Sequence, residues 1–345
     1  MRKGLPAPSI TARLLVVAFV LTTACGGDGE DGERSAPEDT TTQAAARQSA
    51  GCEAAEGPPA VEEERTLTVD GTTRRYLITV PSAHDGEAPL PVVFDIHGLM
   101  EGAEIHTRMS QYSALAEEEG FVVVFPHGAG QPVQWDVDAD AATNDDIAYF
   151  DAVLDEVGSV LCIDESRVYA TGLSNGAMFV SALLCTRADV LAAAAPVAGL
   201  LNPDPCEPAR PVPVLAFHGT ADPILLFNGG VDTSSFTGPP ESGPTTTQPP
   251  ADLEGEGYPA NVAAWAERNR CDPEPSDTEV SDEVIHRVYD CPDGADVEFY
   301  ILVGGGHAWP SSEFSQSIES VVGHTTFEID ATRDGWEFMS RFTSP

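Results

Sequence analysis

The stretch that decides the fold is Arg167-Val-Tyr-Ala-Thr-Gly-Leu-Ser-Asn-Gly-Ala-Met-Phe-Val-Ser-Ala-Leu-Leu184. Its beginning has the residues of a short strand, its end is an apolar helix former, and the pattern Gly-x-Ser-x-Gly lies between them. A serine on a sharp turn between strand and helix is typical of a nucleophile elbow. We therefore predict that Ser174 is a catalytic nucleophile at a helix N-terminus, where negative charge is favoured. The alternative is a glycine-rich turn that contains a serine by chance.

Strands and helices are predicted to alternate around this stretch, after an opening hairpin that turns at Asp70-Gly71. Further predicted strands lie at 91–96, 121–125, 191–197, 213–217 and 297–302, and predicted helices at 109–119, 146–161, 258–270 and 329–342. Such alternation indicates an α/β fold with a mainly parallel central sheet, helices on both faces and an N-terminal antiparallel hairpin. Residues 231–257 interrupt it with a long Pro-, Gly- and Thr-rich insertion, either a surface loop or a lid.

A catalytic serine needs a base, and the base needs an orienting acid. On parallel sheets these groups follow the carboxyl ends of strands, in the chain order serine, acid, histidine. Asp222, in Phe217-His-Gly-Thr-Ala-Asp-Pro223, follows the strand at 213–217 and is the predicted acid. Asp204 and Asp232 are rivals that fit less well.

The predicted base is His307, in Gly304-Gly-Gly-His-Ala-Trp-Pro310, directly after the strand at 297–302. Three glycines allow the chain to turn back over the edge of the sheet there. His324 is the rival base. Two backbone donors should stabilise the oxyanion, and we expect them to be the N–H groups of Asn175 and Leu99.

The N-terminus has the pattern of an export signal over 1–24, with Cys25 directly after a small residue, as at a bacterial lipoprotein processing site. Thr22 stands where such sites usually have an aliphatic residue, so soluble secretion remains an alternative. Residues 25–60 are acidic and almost free of large apolar side chains, which predicts a disordered linker. The catalytic domain is then expected over 61–345.

Cysteine usage and charge narrow the possible environments. Six cysteines remain after Cys25, an even number that implies disulfides in an exported chain, and we favour Cys271 with Cys291 and Cys185 with Cys206. No spacing typical of a metal site occurs, so we expect neither metal nor cofactor. The formal net charge of −39 argues against nucleic acid and anionic membranes as partners, which leaves an N-terminal lipid as the only expected membrane contact. The sequence does not indicate an oligomeric state.

The elbow, the segments around Asp222 and His307, and Ala263-Ala-Trp-Ala-Glu-Arg-Asn-Arg-Cys271 together resemble the polyhydroxybutyrate depolymerase/feruloyl esterase family of α/β hydrolases. Its bacterial secreted lipoprotein esterases look closest. The resemblance covers about 65–342 and implies a secreted serine esterase with the triad Ser174, Asp222 and His307. It points to feruloyl or acetyl esters, or to polyesters similar to poly(3-hydroxybutyrate). The loop at 97–100 and the insertion at 231–257 depart from the family and leave the substrate open.

Several side chains are candidates for substrate contact. Trp309 lies beside His307, Trp135 lies in Val133-Gln-Trp-Asp136, and Met100 ends the predicted oxyanion loop. Aromatic side chains suit a phenolic or polyester acyl group. Trp265 is expected to pack in the core. Two other interpretations remain open: a peptidase or acyltransferase with the same triad, and a surface lipoprotein that binds a ligand without catalysis.

Overall fold

A ten-stranded mixed sheet runs through the chain in the computed structural model, which describes residues 46–53, 62–232 and 249–345. The strands are β1 Glu62–Val69, β2 Thr72–Thr79, β3 Leu90–Ile96, β4 Val122–Pro126, β5 Ile163–Leu173, β6 Leu191–Val197, β7 Val214–Gly219, β8 Ser276–Ser281, β9 Val284–Val288 and β10 Val297–Leu302. Strands β3 to β7 are buried almost throughout, as expected for a sheet covered on both faces.

The helices of the described residues cover both faces of the sheet. They are α1 Ala103–Ser110, α2 Tyr112–Glu119, α3 Asp145–Val160, α4 Asn175–Thr186, α5 Tyr258–Arg268, α6 Glu313–Ser317, α7 Glu319–Val322 and α8 Ala331–Met339, with a short 3-10 helix at Ala50–Glu53. Side chains of α3, α4 and α5 pack into one buried apolar cluster, and those of α1, α2 and α8 into another. The predicted α/β class, with helices on both faces of the sheet, is confirmed.

The strand order is β1-β2-β4-β3-β5-β6-β7-β10-β9-β8. The six strands from β4 to β10 are parallel, and the opening hairpin β1–β2 is antiparallel. The chain leaves β3 toward one edge of the sheet, to form β4, and continues from β5 toward the other edge. The carboxyl ends of β3 and β5 therefore border a crevice, the place where parallel sheets bind their ligands.

Two elements differ from the prediction. The helix expected over 109–119 is two helices, α1 and α2, because Gln111 adopts a left-handed conformation with φ 57° and separates them. The antiparallel hairpin β8–β9 was not predicted. Strand β8 is exposed along nearly its whole length and carries polar residues on both faces, so it lacks the alternation by which a strand is recognised.

The boundary of the predicted acidic linker is wrong, because residues 46–53 pack against the corner between α3 and β5. Gln48 forms a β-bridge with Asp164, and the Ser49 hydroxyl donates to the Leu161 carbonyl at 2.8 Å. Cys52 is joined by a disulfide to Cys162. The signal sequence, Cys25 and the rest of the predicted linker lie outside the described residues.

The ends of the 231–257 insertion pack on the domain, whereas 233–248 lie outside the described residues. Val231 pairs with Leu225 in a β-bridge, and Asn228 hydrogen-bonds the backbone of both Pro250 and Asp252. The described ends of the insertion are therefore fixed to the segment that follows Asp222.

Three disulfides link the described cysteines. Cys185–Cys206 and Cys271–Cys291 are the predicted pairs, and Cys52–Cys162 is the third. Disulfides persist in oxidising compartments, so they fit an extracellular protein. Within 46–53, 62–232 and 249–345, no helix is both long and apolar enough to cross a bilayer.

Removing the long-range disulfide with Cys52→Ser and Cys162→Ser should lower the free energy of unfolding by about 4 kcal/mol, because the link constrains a long loop of the unfolded chain. It spans 110 residues, whereas Cys271–Cys291 spans 20 and its double serine variant serves as the matched control. Urea unfolding measures the difference. Hydrogen exchange should also show that 46–53 lose protection, and unchanged protection there would contradict the role of Cys52.

Candidate active site

Ser174 lies on the sharp turn between β5 and α4, with φ 56° and ψ −121°, a conformation that costs a non-glycine residue backbone strain. Two glycines make the turn possible. A Cβ on Gly172 would lie 2.5 Å from the Ile96 carbonyl oxygen, and one on Gly176 would lie 2.1 Å from it. The backbone of β3 therefore contacts the turn directly and leaves no room for side chains at these positions.

The turn is held by backbone hydrogen bonds on both sides of Ser174. Its N–H donates to the Val197 carbonyl at 3.0 Å, and its carbonyl accepts from Met178 at 2.9 Å. Among the described residues, none forms a hydrogen bond with the Ser174 hydroxyl, which lies in a cleft that His307 also lines. The nucleophile candidate is thus rigidly placed, with its hydroxyl facing the cleft.

His307 and Asp222 form a buried pair at the same cleft. Nδ1 of His307 lies 2.8 Å from Oδ2 of Asp222, whose side chain is 0% exposed. The second oxygen of Asp222 accepts the N–H groups of Ile224 and Leu225, both at 2.8 Å. Burial opposes the charge on Asp222, but His307 and these hydrogen bonds hold its pKa below the usual value. Since the carboxylate can only accept, the neutral form of His307 carries its proton on Nδ1 and has a lone pair on Nε2.

His218 and the rival candidates His324 and Asp204 do not take part in the pair formed by His307 and Asp222. His218 is buried, its Nε2 donates to the Leu225 carbonyl, and burial lowers its pKa to about 4 despite nearby Asp222. His324 is half-exposed and contacts Glu283 at 3.2 Å. Asp204 is exposed before β7. The carboxylate that accepts from His307 is therefore that of Asp222.

The two predicted oxyanion donors border the cleft beside Ser174. The loop after β3 is close to the nucleophile, since a Cβ on Gly98 would lie 3.5 Å from Ser174 Cβ. Leu99 and Asn175 both line the cleft, and within the described part of the chain their N–H groups donate to no acceptor. The Asn175 side chain is occupied elsewhere, because it exchanges two hydrogen bonds with the backbone of Trp135.

His97 has a structural role in the same loop. Its Nδ1 donates to the Gly98 carbonyl at 2.7 Å, and its Nε2 accepts the N–H of Gly128 at 2.9 Å. Only the neutral imidazole can make both bonds. Burial lowers the pKa of His97 to about 4, which keeps it neutral.

The structure places the two tryptophans that were predicted to contact substrate in the core instead. Trp135 is 3% exposed, donates to the His97 carbonyl and stacks on Phe179. Trp309 is 1% exposed and donates to the Thr332 hydroxyl. The prediction was wrong for both tryptophans, because a position near a catalytic residue in the sequence does not fix where the side chain points. The backbone turns both indoles away from the cleft. Met100, in contrast, lines the cleft and is 59% exposed.

The cleft has a volume of about 410 Å³ and predominantly apolar walls. Its apolar lining includes side chains that no sequence pattern singled out, namely Ile105, Met109, Met178, Phe314, Ile318, Val321 and Val322. Several come from α6 and α7, two short helices that follow His307 and were not predicted. Segments of four or five residues are too short to show helical periodicity.

A second buried group of ionisable side chains lies behind the loop after β3. His106 contacts Asp95 through Nε2 at 2.7 Å and Glu101 through Nδ1 at 3.0 Å, and all three side chains are at most 8% exposed. Burial lowers the pKa of His106, but the two carboxylates outweigh it and raise the pKa to about 10. His106 therefore donates from both nitrogens. Within the described ranges, no group of three His, Cys, Asp or Glu residues has metal-binding geometry.

Comparisons with known proteins agree with this architecture. A family model described as esterase PHB depolymerase matches residues 75–243. A feruloyl esterase B from Piromyces equi is 28% identical over 79% of this chain, and the match spans 46% of that protein. The protein "Putative esterase NocK" from Nocardia uniformis subsp. tsuyamanensis is 28% identical over 94% of this chain and 96% of its own length.

The solved structure of an acetyl xylan esterase from Aspergillus awamori has the same fold, with a TM-score of 0.53, 17% identity, and coverage of 81% of this chain and 99% of that one. The architecture is thus the α/β-hydrolase fold. Within that class, the family-model match and the two relatives support the polyhydroxybutyrate depolymerase/feruloyl esterase family. The chain spans about half the length of the Piromyces relative.

The buried His106 should make stability depend on pH in the alkaline range. The pKa is about 10 in the folded protein against an ordinary value of 6.5, so its stabilising contribution is complete below pH 6.5 and is lost as the pH rises toward 10. Urea unfolding of the wild type and His106→Gln from pH 6 to pH 10 measures this contribution. The difference between the two proteins should shrink steadily, and a constant or growing difference would contradict a protonated His106.

Proposed function

We propose that the chain hydrolyses carboxylic esters through a covalent acyl-enzyme formed on Ser174, with His307 as base and Asp222 as orienting acid. The observation that carries this proposal is the 2.8 Å contact between His307 Nδ1 and buried Asp222 at the cleft that exposes Ser174. This pairing supports a serine triad, because the acid fixes the tautomer that leaves Nε2 able to accept a proton.

The reaction follows from these positions. Ser174 Oγ attacks the carbonyl carbon of the ester while His307 Nε2 accepts the hydroxyl proton. The tetrahedral intermediate collapses, and His307 returns the proton to the leaving alcohol. Water, deprotonated by the same nitrogen, then attacks the acyl carbon. The second tetrahedral intermediate collapses, His307 returns the proton to Ser174 Oγ, and the carboxylic acid is released. Asp222 stays ionised throughout and stabilises the imidazolium that forms in each step.

The negative charge of both tetrahedral intermediates needs donors that are already in place. The N–H groups of Leu99 and Asn175 fit this role, because they border the nucleophile and have no other acceptor among the described residues. Asn175 begins α4, so the helix dipole adds to the stabilisation. Removal of one such donor in a serine hydrolase slows turnover by roughly 10² to 10³.

The walls of the cleft favour esters with an apolar acyl or alcohol group, such as feruloyl or acetyl-type esters and polyesters similar to poly(3-hydroxybutyrate). Methionine, isoleucine, valine and phenylalanine side chains line it, and its described lining contains no lysine or arginine to bind an anionic substrate. Flexible methionines such as Met100, Met109 and Met178 adapt to differently shaped apolar groups.

Ser174→Ala should lower kcat by several orders of magnitude, roughly 10⁶ in a comparable triad, and leave thermal unfolding nearly unchanged. The assay compares p-nitrophenyl acetate, a feruloyl ester, a poly(3-hydroxybutyrate) oligomer and a peptide amide. Hydrolysis of esters alone supports the proposal. Cleavage of the amide would indicate a peptidase, turnover in Ser174→Ala would exclude this nucleophile, and binding without turnover would indicate a non-catalytic protein.

Asp222→Asn should keep the fold and lose roughly 10⁴-fold in kcat, because the amide no longer selects the productive tautomer of His307. Asp204→Asn is the matched control, since Asp204 is an exposed rival acid with the same side chain. A large loss in Asp204→Asn, together with a small loss in Asp222→Asn, would overturn the assignment of the acid.

We propose further that residues 1–24 are removed on export and that Cys25 carries a lipid. The three disulfides support an extracellular location, and the motif at Cys25 supports the anchor. Mass spectrometry of the mature N-terminus tests this: a diacylated Cys25 is expected, and Cys25→Ala should release the protein into the medium. An unmodified N-terminus at another residue would identify a soluble secreted form.

A further inference from the structure

The proposed mechanism makes no use of the buried group Asp95, His106 and Glu101, although it touches the loop that carries an oxyanion donor. Glu101 also lines the cleft, and its Oε2 accepts the N–H of Gly98 at 2.6 Å. Gly98 immediately precedes Leu99. The buried group is thus one peptide unit away from the predicted oxyanion donor.

We infer that Asp95, His106 and Glu101 form a positioning relay that fixes the loop from Gly98 to Leu99 in the geometry needed to stabilise the oxyanion. The inference rests on the proposed function. None of the three is assigned contact with substrate; they act through the backbone N–H of Leu99.

The geometry of the relay ties together the elements on either side of the loop. Asp95 lies in β3 and His106 lies in α1, so the 2.7 Å contact between them connects the strand before the loop to the helix after it. Glu101 bridges from this pair to the loop: its Oε1 contacts His106 at 3.0 Å, and its Oε2 holds Gly98. The Met100 N–H donates to the Val133 carbonyl at 2.8 Å, and His97 donates to the Gly98 carbonyl. Glu101 adds the contact that restrains the Gly98 N–H, the group next to the Leu99 peptide.

The charges of the relay suit a site where negative charge develops. A lone carboxylate at Glu101 would oppose an oxyanion held one residue away, because the apolar surroundings screen the repulsion weakly. Protonated His106 lies between Glu101 and Asp95 and offsets one of their two negative charges, which weakens this repulsion. Burial alone would raise the pKa of Glu101, but His106 and the Gly98 N–H bring it below the usual value, so Glu101 stays an acceptor.

Removing the acceptor from Glu101 tests the relay. Glu101→Met conserves the length of the side chain and deletes both oxygens, so kcat should fall roughly 10²-fold, as for a misplaced oxyanion donor, while KM changes less than about threefold. Glu101→Gln keeps one oxygen for the Gly98 N–H and, with a neutral His106, can satisfy the remaining contacts. It should recover kcat to within about tenfold of the wild type.

The matched controls are Glu104→Met and Glu104→Gln. Glu104 lies three residues after Glu101, in the first turn of α1, but is about half exposed and pairs with Arg75 on the surface. Both control variants should retain the kcat and KM of the wild type. Losses in kcat of equal size at positions 101 and 104 would overturn the relay.

A transition-state analogue separates positioning from a general loss of structure. An alkyl boronic acid forms a tetrahedral adduct with the serine, so its inhibition constant should rise in parallel with the loss of kcat/KM in Glu101→Met, whereas binding of the product alcohol should not change. If Glu101→Met does not fold, Glu101→Asp decides, because its carboxylate is one methylene too short for both contacts and should lose kcat similarly.

Failure of the relay and failure of the proposed function give different results. If the wild type hydrolyses esters, Ser174→Ala does not, and Glu101→Met or Glu101→Asp has wild-type kcat and boronate affinity, the relay alone is overturned. If the wild type neither hydrolyses esters nor forms a boronate adduct, the proposed function fails, and the relay fails with it.

Discussion

The close contact between the end of β3 and the elbow is the constraint on which the site depends. Gly172 and Gly176 let the backbone at Ile96 approach so closely that a Cβ at either position would collide with its carbonyl oxygen. Close-packed interiors do not tolerate such overlap without displacing one of the two segments. Because β3 and β5 are neighbours at the point where the strand order reverses, this contact brings the loop after β3 beside Ser174 and creates the cleft between them.

His307 lines this cleft and His106 lies buried behind the loop after β3, and the carboxylate partners of the two histidines are arranged differently. His307 has one carboxylate, Asp222, whose other oxygen is already occupied by two backbone N–H groups. His106 lies between two carboxylates and uses both ring nitrogens as donors, which fixes it as a cation. His307 therefore has one ring nitrogen outside its contact with a carboxylate, whereas both ring nitrogens of His106 are occupied by carboxylates.

The sequence predicts those parts of the molecule in which local pattern and structure coincide. The elbow, the alternation of strands and helices and the segments that carry Asp222 and His307 belong to this group, although the catalytic roles themselves remain predictions. The burial of Trp135 and Trp309 could not be predicted, because it depends on where the backbone turns after each strand ends. Residues 46–53 have the composition of a linker and were predicted to be one. Their order depends on a disulfide to Cys162, which is distant in the sequence. The relay could not be predicted for a similar reason, because it depends on contact between Asp95 in β3 and His106 in α1.

The acidity of the chain and the chemistry of its cleft are separate properties. The formal net charge is −39, yet the only carboxylate in the described lining of the cleft is that of Glu101, which pairs with His106. Exposed charges are screened by salt over about 10 Å, whereas a buried pair is screened much less. The acidic composition therefore argues against anionic partners at the outer surface, but it does not indicate which substrate the cleft binds. Substrate selection is left to the apolar walls of the cleft, which Met100, Met178 and Phe314 line together with Ser174.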